Sequence, residues 1–115
     1  MTQIVTVYAT FADEAEAATI ARILVEERLA ACANIIGPCR SIYRWEGKIE
    51  DAQEVAALFK TIAGGAEALI ARLAALHSYE VPAAVVWPIA TALDAYAGWV
   101  ADSVTGETSI ESLLS

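Results

Sequence analysis

Basic, sulphur-bearing and chain-breaking residues are scarce in this chain of 115 residues: seven Lys and Arg stand against fifteen Asp and Glu, with two cysteines, one methionine, one histidine and three prolines. The formal net charge of −8 argues against phosphate backbones and anionic membrane surfaces, so neither nucleic acid nor membrane is expected as a partner. A metal cation or a basic partner suits it better, although the plainer reading is that the charge keeps an apolar chain soluble. Charges interrupt every hydrophobic segment, and no apolar run approaches the roughly 20 residues needed to span a bilayer. The opening Met1-Thr2-Gln3-Ile4 has no basic region ahead of an apolar stretch and no small-residue cleavage site, so a cytoplasmic location is expected.

Cys32 and Cys39 lie seven positions apart in a segment that reads as extended. A strand rising about 3.3 Å per residue holds such a pair beyond the roughly 7 Å Cα limit of a disulfide, so two free thiols are expected. Catalytic signatures are missing as well: there is no HExxH, no Gly-x-Ser-x-Gly and no glycine-rich phosphate loop leading into Lys-Ser/Thr. Nothing in the sequence places His77 beside either cysteine as a thiol dyad. No enzyme is expected.

What the chain has instead is apolar surface. Hydrophobic residues make up 57% and the mean hydropathy is +0.50, above the ~45–50% apolar content usual for soluble domains. The length suits a single domain, assigned to residues 1–104 with a polar tail at 105–115. Gln3 to Thr10 reads as a strand because β-branched and aromatic side chains dominate it. Asp13 followed by Glu16 resembles a capping box that opens a helix running to about Ala30, with Ala17, Ile20, Ala21 and Leu24 as its apolar face. From Ala31 to Trp45 the pattern is extended again, with a bulge or bend expected at Gly37-Pro38. Glu46-Gly47-Lys48 reads as a tight turn, and Ile49 to Thr61 returns as the partner of a long β-hairpin.

Gly64-Gly65 then breaks the chain, and Leu69, Ile70, Leu73 and Leu76 recur at helical spacing up to His77. Ala83 to Ile89 reads as a strand with Pro88 at an edge or an end, and Leu93, Tyr96, Ala97 and Val100 form a third helical face. The order is strand, helix, strand, strand, helix, strand. That is the split βαβ arrangement of an α+β, ferredoxin-like βαββαβ fold, here with a C-terminal helix appended.

Such a fold packs its two crossover helices on one face of the sheet and leaves the other open, so one side-chain set of each strand is expected to be polar in a monomer. The first strand offers Ile4, Thr6, Tyr8 and Val5, Val7, Ala9; the last offers Val85, Trp87, Ile89 and Ala84, Val86. Both sets are largely apolar. Association with other copies is expected on this pattern, the alternative being that the appended helix and tail cover the second face within one chain.

Two stretches, RLAACANIIGPCRSIYRWEGKIEDAQEVAALFKT (Arg28 to Thr61) and LHSYEVPAAVVWPI (Leu76 to Ile89), resemble the signature segments of the CutA family, the divalent-cation tolerance proteins. The resemblance implies a compact homotrimer with long hairpins pairing between neighbours, clefts at the subunit boundaries, and a role in the response to metal ions. It also implies an architecture similar to the PII nitrogen-signalling trimers, and hence an alternative function as a signalling or interaction scaffold that binds a small anion or a partner protein between subunits.

For the metal reading, the resemblance points to His77 as a ligand for copper or another divalent metal. The first-strand Cys and the Glu after the motif's proline, which the family pairs with that histidine, are replaced here by Ala9 and Ala83. The structural alternative for His77 is that it ends the second helix and bonds its last carbonyls. Ser78 stands where the family often has proline, which is expected to loosen the loop.

Trp45, Lys60, Tyr79 and Glu80 are the candidates for a cleft ligand. Tyr43 and Trp45 share a strand face and serve equally well as packing anchors; Tyr79 and Glu80 as a packed tyrosine and a turn carboxylate. Lys60 and Arg44 offer cations to an anion. The acidic set Glu46, Glu50, Asp51 and Glu54 offers loose cation binding near the hairpin tip or a solvated strand edge that discourages misassembly.

Overall fold

The computed structural model describes residues 3–106. Its elements are β1 (Ile4–Phe11), α1 (Glu14–Glu26), β2 (Cys32–Trp45), β3 (Lys48–Ile62), a 3-10 turn (Ala63–Gly65), α2 (Ala66–Leu76), β4 (Ala84–Pro88) and α3 (Asp94–Thr105). The four strands form one antiparallel sheet in the order β2-β3-β1-β4. The element order expected from the sequence is the one observed, with α3 appended. Thr105 closes α3 and Gly106 caps it in the left-handed region, so that helix takes in the first residue of the expected tail; residues 107–115 lie outside the described residues.

Local chemistry accounts for the element boundaries. Asp13 caps α1 by accepting the Glu16 amide at 2.8 Å, and Glu16 Oε1 accepts the amide of Ala12, the residue before the cap, at 3.2 Å, a one-residue variant of the capping box the sequence pointed to. The helix stops four residues short of Ala30. Arg28 takes φ +61°, and the Leu29 and Ala30 amides fold back onto the Leu24 carbonyl at 2.9 and 3.1 Å, a left-handed termination made without glycine. At the hairpin tip Glu46 and Gly47 both have positive φ, 49° and 78°, which matches the twist a two-residue β-turn needs.

One face of the sheet carries Val5, Val7, Ala9 and Phe11 with Val55, Ala57 and Phe59, packed under Ala17, Ile20 and Leu24 of α1 and Leu69 and Leu73 of α2. Phe11 and Phe59 meet edge to face at 6.3 Å. The other face is not left to a partner throughout. Ala97 and Val100 of α3 close over Ile4 and Ala31, with Ile62, Ile89 and Tyr96 alongside. The appended helix therefore covers one end of that face within the chain, as the alternative reading of the sequence had it. Leu93 is the exception on the expected helical face: it sits at the N-cap and is 75% exposed.

Among the described residues no helix covers the rest of that face, where Val85 and Trp87 are exposed. β3 pairs with β1 only as far as Phe11↔Val55, so residues 48–54 bond to β2 alone and the hairpin projects from the sheet as a two-stranded ribbon. The molecule is accordingly elongated, 56 × 26 × 22 Å. The bulge expected at Gly37-Pro38 is present: the register shifts between Ile35 and Gly37, where Gly37 takes φ +122°. A one-residue slip turns every later side chain to the opposite face. Cys32 and Cys39 therefore share a face despite their odd separation, and both are free.

Candidate functional site

Because of that slip, Ser41, Tyr43 and Trp45 of β2 stand on the same side of the sheet as Tyr8 and Thr10 of β1 and Glu54 of β3. The loop after α2 closes over this group, and the result is a cleft of about 600 Å³ lined by those six residues together with Tyr79, Glu80, Val81 and Ala83. Three of the four cleft-ligand candidates, Trp45, Tyr79 and Glu80, meet here. Lys60 is not among the lining residues; it pairs with Thr6 and Cys32 further along the sheet, and its Nζ donates to Asn34 Oδ1 at 3.3 Å. Arg44 is not in the lining either.

Glu54 is the residue whose role the sequence concealed. It belongs to the set read as a cation-gathering or solvated edge, yet it is only 7% exposed, and Tyr79 Oη donates to its Oε2 at 2.8 Å. Asp51 of the same set is tied to Arg40 by two bonds of 2.9 and 2.6 Å. Two members of the acidic set thus take different roles, Glu54 as a buried cleft carboxylate and Asp51 in a surface ion pair. Burial first, and then the bond to Glu54 and its charge, push the Tyr79 phenol well above its ordinary value. Burial, with Cys39 and Glu54, raises Tyr8 as well. Both phenols stay neutral donors at physiological pH. Tyr8 further stacks on Trp87 with ring centroids 4.9 Å apart.

His77 lies behind the cleft rather than in it. Its ring stacks on Phe11 at 5.0 Å and touches Tyr79 at 4.6 Å. Nδ1 accepts the Tyr79 amide at 3.0 Å, which leaves Nε2 to carry the proton and donate to the Thr10 carbonyl at 2.8 Å. His77 ends α2 as its C-cap residue, as expected, but the acceptor is corrected: the ring bonds a carbonyl of β1, not the last carbonyls of α2. Both nitrogens are committed, and the ring joins β1 to the post-helix loop.

The residues around it do not fit a metal centre. Ala9 is buried in the helix-side core and Ala83 lines the cleft on the other side, and neither offers a donor atom. Among the described residues no three His, Cys, Asp or Glu side chains are grouped as metal ligands require. Ser78 gives the loop an anchor of its own. Its amide, which a proline would lack, donates to Glu16 Oε2 at 2.9 Å.

Cys32 Sγ and Tyr96 Oη lie 3.5 Å apart, linking β2 to α3, and burial together with the thiol pushes the Tyr96 phenol up to about 12. Neither cysteine stands beside His77 in any hydrogen bond or ring contact.

Comparison with known proteins matches this geometry to a family. The CutA1 profile, described as divalent ion tolerance protein, matches residues 5–103. The divalent-cation tolerance protein CutA of Thermus thermophilus is 45% identical over 94 residues, covering 82% of this chain and 91% of that protein. The human protein CutA is 40% identical over 81% of this chain, which spans 52% of the human protein's length. Among solved structures, CutA1 of Ehrlichia chaffeensis superposes with a TM-score of 0.85 at 33% identity, covering 90% of this chain and 97% of that one. The Thermus thermophilus structure gives 0.84 at 43% identity, covering 87% and 97%. The chain belongs to the CutA1 family of divalent ion tolerance proteins.

Proposed function

We propose that this divalent-cation tolerance protein works as a non-catalytic homotrimer of ferredoxin-like subunits, with the aromatic and acidic cleft as its ligand site at a subunit boundary. The observation that carries the assembly is the ribbon. A two-stranded hairpin is marginal in water by itself, yet this one extends past the sheet and bears Ile42 at 65% and Ile49 at 61% exposure, with Tyr43 and Trp45 also exposed. Burying a large apolar side chain is worth about 1.5–3 kcal/mol. A neighbouring copy gains that for several residues at once, and the unpaired outer edge of β2 offers it a row of backbone donors and acceptors. The strand order β2-β3-β1-β4 supports the ferredoxin-like description.

The cleft supports the PII-like anion scaffold less well, since its charged lining residues are Glu54 and Glu80 and no Lys or Arg is among them. A copper or other divalent-metal role at His77 requires displacing Thr10 or Tyr79 from the ring. Calorimetry with copper and zinc on the native chain and on His77→Ala tests that role directly. For location we retain the cytoplasm, which cell fractionation checks. The decisive measurement for the assembly is mass by sedimentation or light scattering from micromolar to nanomolar concentration. Three times the 12.2 kDa chain is expected throughout, and a folded, soluble monomer at dilution overturns the proposal.

A further inference from the structure

Glu54 is 7% exposed, yet its Oε1 is not among the buried atoms that lack a partner, so this oxygen of an otherwise enclosed carboxylate is accessible from the cleft. Tyr79 supplies one bond, to Oε2. Among the described residues Glu54 has no ion-pair partner, and its Oε1 receives no hydrogen bond. The open oxygen belongs to a residue that lines the cleft. Around it the cleft wall is aromatic: Tyr8, Tyr43, Trp45 and Tyr79. Ring faces carry negative potential and attract cations, more strongly where water is excluded. Glu80 adds a second carboxylate at the exposed part of the lining. No lysine, arginine or histidine lines the space.

We propose that the cleft binds an organic cation, an alkylammonium or quaternary ammonium group held among the rings of Tyr8, Tyr43, Trp45 and Tyr79 against the Glu54 carboxylate. This rests on the reading of the cleft as the ligand site and names the class of ligand it takes. A small anion meets two carboxylates there and no positive side chain. A bare divalent metal asks for several oxygen or nitrogen donors, whereas this wall offers mostly rings, which suit a large, weakly hydrated cation. The volume of about 600 Å³ is of the size that accommodates small-molecule ligands.

The test is a titration of the full chain with tetramethylammonium chloride, followed by calorimetry and by the three tryptophan indole NMR peaks. The Trp45 peak is identified as the one missing in Trp45→Leu. Sodium chloride controls for ionic strength, tert-butanol serves as the neutral isostere, and magnesium chloride as the inorganic cation. Tetramethylammonium is expected to shift the Trp45 peak and to bind at least about tenfold more tightly than tert-butanol, with Glu54→Gln and Trp45→Leu each weakening it by about fivefold or more.

Glu54→Gln keeps an acceptor for Tyr79, and circular dichroism checks its fold. If that variant fails to fold, Trp45→Leu and the neutral isostere decide. Equal affinity for the isostere, tighter binding of magnesium, or a Trp45 peak that responds no more than in sodium chloride overturns the proposal. The last outcome includes the case in which a second copy of the chain fills the cleft. Mass measured on the same samples separates the two readings: a trimer that ignores tetramethylammonium sinks the cation proposal alone, and a monomer that binds it supports the cation while sinking the subunit-boundary site.

Discussion

Replacing His77 by alanine distinguishes a structural histidine from a metal ligand. The side chain is 9% exposed, bonds the Thr10 carbonyl and the Tyr79 amide, and stacks on Phe11. Truncation leaves a carbonyl and an amide without their partner, at a cost of about 1–3 kcal/mol for each group that water does not reach. The ring contact with Phe11 adds about 0.5–1.5 kcal/mol. Tyr79 N–H is on a loop where solvent replaces part of the loss, so the sum is set near 3 kcal/mol rather than at the upper limit. At about 4 °C per kcal/mol for a chain of 115 residues, the midpoint of thermal unfolding falls by roughly 12 °C. The assay is calorimetric or dichroic melting at one fixed protein concentration, because subunit association makes the midpoint depend on concentration. It is run once in chelator and once with copper or zinc. The native chain and the variant should differ by the same amount in both buffers. A variant as stable as the native chain in chelator, differing only when metal is present, refutes the structural argument and restores the ligand role.

Two further outcomes follow from buried or clamped polar groups. The Thr61 hydroxyl is buried without a hydrogen-bond partner, so Thr61→Val should stabilise the chain by about 1 kcal/mol, measured by urea denaturation; a loss of similar size, with Thr61→Ser neutral, counts against it. Although burial raises the Glu16 carboxyl, the bonds from Ser78 and Ala12 outweigh it and hold the group below its ordinary value of 4.5. Its contribution is then present above that ordinary value and lost as pH falls through the lowered one. Glu16→Gln should therefore flatten the acid limb of the stability profile and approach the native chain below it; parallel limbs in the two proteins exclude the linkage.

The readings that held are those in which a few neighbouring residues decide the conformation. Asp13 with Glu16, Glu46 with Gly47, and Gly37-Pro38 each carry their geometry in local sequence, and the structure has the cap, the turn and the bulge where they were expected. A left-handed backbone at a non-glycine residue such as Arg28 leaves no compositional trace, so the sequence pattern runs α1 four residues past its observed end. Glu54 is concealed for another reason. Its partner Tyr79 is 25 positions away, and a carboxylate in a charged strand looks the same in sequence whether it is solvated or buried. The face it occupies becomes visible only after the parity change at the bulge is carried through to Tyr43 and Trp45. His77 was singled out correctly but with the wrong acceptor, since Thr10 is 67 positions distant. Trp45, Tyr79 and Glu80 were legible as cleft candidates, and glycine at 37 is the clue to the face on which they meet.

The parity reset at Gly37 also separates two properties of the projecting arm that evolution or an engineer would want to adjust independently. Removing or adding residues in pairs between the bulge and the tip alters reach while leaving the same rings turned inward. An odd change instead exchanges the two sides of the arm, sending Tyr43 and Trp45 outward and bringing Ile42 and Arg44 in. Length is thus a tolerant variable of this hairpin and oddness an intolerant one.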